Sequence, residues 1–417
     1  MPPKHSWLLF KQWADEYGPI FRFTIGTQNN VVVSTEKIAN DLLRERGNLY
    51  SSREQLVFAA ELMSHNLRPL FLPYNGTLPH KAHVDSDLWR RGRKLMHQLT
   101  MTQMATSYQP MQSLESKKLL YDLIQTPDQY ERHFERYSSG LIFRIGYGKT
   151  VETGDESYVR RILAVDRTVE RVASPGAYLV DTIPLLKYLP GFLAPFKHEA
   201  KTLHEREIEL FRSLLLDVKK EMEEGNAPEC FSRTYFENQE EYGLSVGEAA
   251  YVIGTLFEAG SGTTAAAMMS FCLCMCLHPE WQAEGQKEVD KVCGDGMPEF
   301  GDLPRLPMVR AIIKEVARWR PVTAGGVPHQ LVKDDVYNGF FFPAGTNIHP
   351  NQWYTQIPNV INAGQSTVTP SCTPIQSRSI PNVGSSRSFQ PTVNPLRSTQ
   401  VLSIIPCSAL VGESVPG

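Results

Sequence analysis

Cysteine is scarce, at seven in 417 residues with no framework spacing, which excludes a disulfide-stapled scaffold and points to a reducing compartment. Charge of one sign is scarce too. A net charge of −3 and a pI near 6.4 leave no basic footprint for nucleic acid. The opening residues, Met1 to His5, carry no apolar run long enough for a signal peptide or membrane anchor. Past Trp353 the chain loses its aliphatic periodicity, and the last 64 residues contain no Lys, Asp or Trp but eleven Ser and eight Pro. Such a segment buries too little apolar surface to offset its ordering entropy. A folded body is therefore predicted over 1–353, with a disordered tail over 354–417.

What is present is apolar bulk. At 41% hydrophobic, the body can form one large helical domain or two or three smaller ones. Helices are predicted over 8–17 and 35–46, flanking a small sheet built from Ile20–Ile25 and Val31–Val33. From Asp87 to about Met222 the pattern is mainly helical, broken by Pro184, Pro190 and Pro195. Ser245-Val246-Gly247-Glu248 reads as a capping box opening a helix that runs to about His278. Helices over 280–293 and 307–319 follow, then a hairpin turning on Asn338-Gly339. Ala249–Leu277, uncharged except for Glu258, is long enough to span a bilayer. Its small polar centre and its lack of basic flanks favour a buried core helix.

Three motifs carry chemistry. Ala259-Gly260-Ser261-Gly262-Thr263-Thr264 places two glycines mid-helix, where each costs about 1 kcal/mol relative to Ala. A ligand or second backbone approaching closely, a widened turn offering the Thr263 hydroxyl, or simple small-residue packing would each account for them. Glu315-Val316-Ala317-Arg318 puts an acid and a base on one helix face, a pattern that most often forms a solvated surface pair. Trp89-Arg90-Arg91-Gly92-Arg93 sets an indole and a guanidinium four apart, suited to an anionic carboxylate or to a basic solvated face. No metal-ligand set is legible.

Order and spacing join these motifs. Trp-x-x-x-Arg near 90, Gly-Thr-Thr near 260 and Glu-x-x-Arg some fifty residues later resemble the cytochrome P450 family. His278-Pro279-Glu280-Trp281, Asp302-Leu303-Pro304-Arg305, Gly326-Val327-Pro328-His329 and Pro343-Ala344-Gly345-Thr346 stand where that family has such segments. The set is most similar to fungal secondary-metabolism members and covers residues 5–353. Residues 76–86 read as an in-frame insertion.

The resemblance implies a mainly α fold with small sheets, a haem b cofactor, and oxidation of a small apolar organic substrate. It also implies electrons from a flavin NADPH-cytochrome reductase, and an anchor that holds the intact protein at the cytosolic face of the endoplasmic reticulum membrane. Without that anchor the present chain would be cytoplasmic. Thr263 would assist proton delivery during oxygen activation, with Gly260 letting ligand approach the helix. Trp89 and Arg93 would hold one haem propionate and His329 the other. Glu315 and Arg318 would form a buried structural brace. Where the family often has an acid before the threonine this chain has Gly262, and Glu258, one turn earlier, is the candidate substitute. Haem-free small-molecule binding or scaffolding is the alternative reading.

One absence then governs the chemistry. The family's iron ligand is a cysteine thiolate, in a Phe-x-x-Gly-x-x-x-Cys-x-Gly loop that does not occur here. Cys372 and Cys407 lack the flanking glycines, and Cys272, Cys274 and Cys276 read as helix core. The codons of Ser408–Gly417, read one nucleotide upstream, permit Phe-Gly-(Val/Phe/Leu/Ile)-Gly-Arg-Arg-(Val/Ile)-Cys-Pro-Gly. The cysteine codon would straddle Ser414 and Val415. The same shift over Ser366–Ser385 permits the family's intervening segment. A frame error between Trp353 and Gln365 is therefore expected, and the 417 residues as they stand are expected to be inactive.

Overall fold

The computed structural model describes residues 6–74 and 86–353. The predicted insertion, Ser86 excepted, and the predicted tail lie outside the described residues. Among the described residues, nine helices have twelve residues or more: α1 (Ser6–Tyr17), α2 (Ser86–Thr100), α3 (Gln109–Gln125), α4 (Tyr130–Tyr147), α5 (Ser157–Val172), α6 (Pro195–Glu223), α7 (Val246–Leu277), α8 (Pro279–Cys293) and α9 (Pro307–Trp319). The fold is mainly helical, as the sequence predicts.

Helix α7 organises the rest. Its start is fixed by the predicted capping box: Ser245 Oγ accepts the Glu248 N–H, and the Glu248 carboxylate accepts the Ser245 N–H at 2.7 Å. The reciprocal bonds satisfy two amide donors that a helix start otherwise leaves without partners. Fourteen α7 residues are buried, against α2, α4, α5, α6 and α9. Among the described residues it is the helix long and apolar enough to cross a membrane, and here it forms the spine of the domain. The core around it includes Leu95, Phe143, Tyr147, Phe211, Tyr251 and Phe257.

The glycines of α7 do not widen it. The helix is α-helical throughout 246–277, so the expected widened turn is not formed. Instead, neighbours press against bare backbone. The Phe211 ring lies against Gly254, and a β-carbon on Gly260 would stand 2.6 Å from Ile142 Cδ1. Small residues here let side chains of α4 and α6 approach the helix axis, which favours the close-packing reading of the motif.

The sheet joins the two ends of the described chain. Strand β1 (Ile20–Ile25) pairs antiparallel with β2 (Gln28–Val33), through a turn at Gly26, where φ is 58°. After β3 (His329–Gln330), the strands β4 (Asp335–Tyr337) and β5 (Phe340–Phe342) form the expected hairpin. Asn338 and Gly339 sit there at φ 51° and 81°, the left-handed pair that a two-residue turn demands. Strand β6 (Asn347–Pro350) runs parallel to β2 and antiparallel to β3, giving the order β1-β2-β6-β3. The predicted helix over 35–46 is an α turn at Glu36–Ala39 followed by a π turn at Asn40–Glu45.

Candidate active site

The unbroken burial of α7 ends near its middle. Ala249–Thr255 are all buried, whereas Ala259, Thr263 and Thr264 are exposed. At about 100° per residue Ala259 and Thr263 lie about 40° apart, with Thr264 about 100° further round, giving an open, small-residue surface at the middle of α7. Thr263 Oγ1 donates back to the Ala259 carbonyl at 2.9 Å, a common use of a mid-helix threonine.

Helix α2 packs on α7 through Leu88, Gly92 and Leu95, all buried. A β-carbon on Gly92 would lie 3.2 Å from Val252 Cγ2. Trp89 and Arg93, four apart, therefore share a different side of α2. Trp89 is half-buried and meets Tyr74 edge-on, with centroids 4.9 Å apart, while Arg93 is exposed. Between them Arg91 turns away to the Gly243 carbonyl and Glu248.

His329, on β3, shares a hydrogen bond of 2.9 Å between Nδ1 and the Tyr50 carbonyl. Burial, then the nearby Arg53 guanidinium, push its pKa down to about 4, against the opposing pull of that carbonyl. The ring is therefore neutral near pH 7, and donation of Nδ1–H to the carbonyl leaves Nε2 as an acceptor. Arg53 donates to the carbonyls of Val327 (3.2 Å) and Pro328 (2.7 Å) beside it, and supplies the fixed positive charge at this edge.

On α9, Arg318 binds Glu315 in two-pronged fashion, with Nε at 2.8 Å and Nη2 on the second oxygen. The pair forms as expected but is not buried: side-chain exposures are 27% for Arg318 and 33% for Glu315. Helix α9 fully buries only Val316, so the face that carries Glu315 and Arg318 stays partly open.

Glu258 differs from expectation. It is 3% exposed and its carboxylate accepts from Arg68 Nη1 at 2.6 Å. Arg68, also fully buried, binds Glu207 of α6 through its other nitrogen, and Tyr251 donates to Glu207 at 2.8 Å. Glu258 lies about 140° round the helix from Thr263, and its side chain is buried where that of Thr263 is exposed. It is therefore one arm of a buried ion cluster centred on Arg68 and not the acid beside the threonine. Burial outweighs the Arg68 charge and pushes the Glu258 carboxyl up to about 7. Sequence reasoning missed Arg68 and Glu207 because 190 and 139 residues separate Arg68 from its two partners, and no local period links them.

These residues fit part of a haem site. Trp89 and Arg93 on α2, with Arg53 at the His329 edge, present donors and positive charge that suit propionate carboxylates. The iron side is different. Among the described residues no three of His, Cys, Asp and Glu come together to hold a metal. The described cysteines are 230, 272, 274, 276 and 293, of which the first three are buried. Burial pushes the Cys274 thiol up to about 11, where it stays protonated. An axial thiolate is not among them, and Cys372 and Cys407 lie outside the described residues.

Comparison with known proteins accords with this geometry. The Cytochrome P450 family profile matches residues 2–357. The chain is 35% identical over 354 residues to cytochrome P450 monooxygenase virE of Hypocrea virens, covering 85% of this chain and 62% of that protein. It is also 35% identical to cytochrome P450 monooxygenase fogE of Aspergillus ruber, covering 85% and 64%. The chain thus spans less than two thirds of the length of these relatives. In fold it is similar to a zebra fish cytochrome P450 solved with progesterone, at a TM-score of 0.68 and 23% identity, covering 84% of this chain and 79% of that one. On the match across residues 2–357, the chain belongs to the cytochrome P450 family.

Proposed function

We propose that this protein is a haem-thiolate monooxygenase homologue acting on an apolar organic molecule of secondary-metabolite type, and that the 417-residue chain as it stands is inactive. The observation that carries the reading is the open face of α7 at Ala259, Thr263 and Thr264. It follows on the continuously buried segment Ala249–Thr255 of that helix. Haem, when bound, supplies the oxidising chemistry of such a protein. The chain's own residues then have separate tasks. Thr263 Oγ1, with its hydrogen shared only with the Ala259 carbonyl, can pass a proton toward the open face. Gly260 and Gly262, at the edges of that face, admit the Ile142 and Asp166 side chains to the helix backbone. Trp89, Arg93 and the His329–Arg53 edge hold carboxylates, and the Glu315–Arg318 pair braces α9.

A flavin NADPH-cytochrome reductase as electron donor, and the cytosolic face of the endoplasmic reticulum as location, belong to the same proposal for the intact protein. So do the body over 1–353, the insertion at 76–86 and the frame slip after Trp353. The experiment is a reduced carbon-monoxide difference spectrum. No thiolate-type Soret band is expected from the 417-residue chain, and its appearance there refutes the inactivity. Sequencing the mature transcript tests the frame slip, since an unchanged 417-codon transcript removes it. A haem-free small-molecule-binding scaffold is the second reading, favoured by the buried cysteines. Specific ligand binding by a chain that takes up no haem would establish it.

A further inference from the structure

Helix α5 aims a carboxylate at the centre of α7. A β-carbon on Gly262 would stand 2.6 Å from Asp166 Oδ2, so no larger side chain fits at 262 unless Asp166 moves. The space on α7 next to Thr263 is thus filled by an acid reaching across from another helix. A half-buried carboxylate of this kind ordinarily finds a donor, because removing it from water without one is costly. Among the described residues, no donor hydrogen-bonds to Asp166. The cations it feels are Arg68 and Arg167, and the anions are Glu170 and Glu258. Arg68 is committed to Glu207 and Glu258, while Arg167 and Glu170 lie on α5 itself and are exposed. Burial, with help from Glu170, pushes the carboxyl up to about 6.

We propose that Asp166 is a polar anchor beside the open face of α7, accepting a hydrogen bond from a hydroxyl or ammonium group on an otherwise apolar ligand. The ligand's apolar body then lies along the small-residue face from Ala259 to Thr264. Gly262 serves the arrangement by letting the carboxylate reach α7. This deepens the monooxygenase reading by naming the substrate class, and rests on it only for taking the open face of α7 as the ligand's place. Its test requires no haem.

The test is calorimetric binding of three matched probes to the full chain at pH 7.5: borneol, bornylamine and bornyl methyl ether. A hydrogen bond to a charged group is worth about 1.5–3 kcal/mol, so the two donor-bearing probes should bind at least about tenfold tighter than the ether. Asp166→Asn should abolish most of the preference for the amine and leave the ether unchanged. Gly262→Ala keeps Asp166 but displaces its carboxylate, and should shrink the same preference. If Asp166→Asn does not fold by circular dichroism, Gly262→Ala decides. Equal affinity for all three probes, no binding by any, or an amine preference that survives the decisive variant each overturns the proposal. The amine arm without the alcohol arm narrows the ligand to ammonium. A failed carbon-monoxide spectrum leaves these results standing, and their failure leaves the monooxygenase reading standing.

Discussion

Burying Arg68 between Glu207 and Glu258 encloses two carboxylates with one guanidinium, and the unbalanced charge sets how the fold responds to pH. Glu258 titrates near 7 in the folded protein against an ordinary value near 4.5. A carboxyl whose folded pKa is raised contributes stability that is fully present below the unfolded pKa and lost as pH rises through the folded one. Glu258 therefore contributes a fall in stability between pH 4.5 and 7.5, opposed below pH 6.5 by the buried histidines, and urea midpoints of Glu258→Gln should rise more steeply with pH than those of the unsubstituted chain. An unchanged slope in Glu258→Gln would assign the effect elsewhere. Arg68→Met leaves both acids without their cation. It should destabilise by about 3–5 kcal/mol at pH 7.5, the usual cost of breaking a buried pair from one side, and by less at pH 5, where Glu258 is protonated. The comparison of denaturation curves at the two pH values checks this directly.

At the scale of elements, the capping box of α7 and the β3 edge make separate predictions. Ser245→Ala removes the acceptor for the Glu248 N–H and should cost about 0.5–2 kcal/mol, read as a shift in thermal midpoint with the fold unchanged. The β3 edge acts on the acid side. His329 and His349 are both held down to about 4, chiefly by burial. For a histidine with a depressed folded pKa, stability is present above the unfolded value near 6.5 and lost as pH falls toward 4. His329→Gln should soften that acid loss, and no change on substitution would show that other groups control it. The bounds of α7, α9 and the β4–β5 hairpin were legible because a capping box, a proline start and an Asn-Gly turn are local signals. The π turns at Asn40–Glu45 and Val57–Met63 carry no comparable signature. Nor does the Asp166–Gly262 contact, since a glycine records that space is needed but not which distant side chain fills it.

At the scale of the whole molecule, the sequence motifs mark helices that meet in space. Helices α2 and α9, carrying Trp89, Arg93, Glu315 and Arg318, both pack on α7, and the sheet joins the chain's first strands to its last described one. That much of the candidate site was readable because spacing between motifs is preserved when the connecting helices are. The part that was misjudged is Glu258, whose partners lie on other helices, and the burial of the Glu315–Arg318 pair, which depends on what packs over α9. The proposed function turns on an iron ligand, and of the described cysteines Cys230, Cys272 and Cys274 are buried while Cys276 and Cys293 are half-buried. The most direct measurement compares reduced carbon-monoxide difference spectra of the 417-residue chain and of a chain whose frame is restored after Trp353. The restored chain should give a thiolate-type Soret band and the 417-residue chain none. A thiolate-type band from the 417-residue chain, or its absence from the restored one, would contradict the assignment of the ligand to the codons straddling Ser414 and Val415.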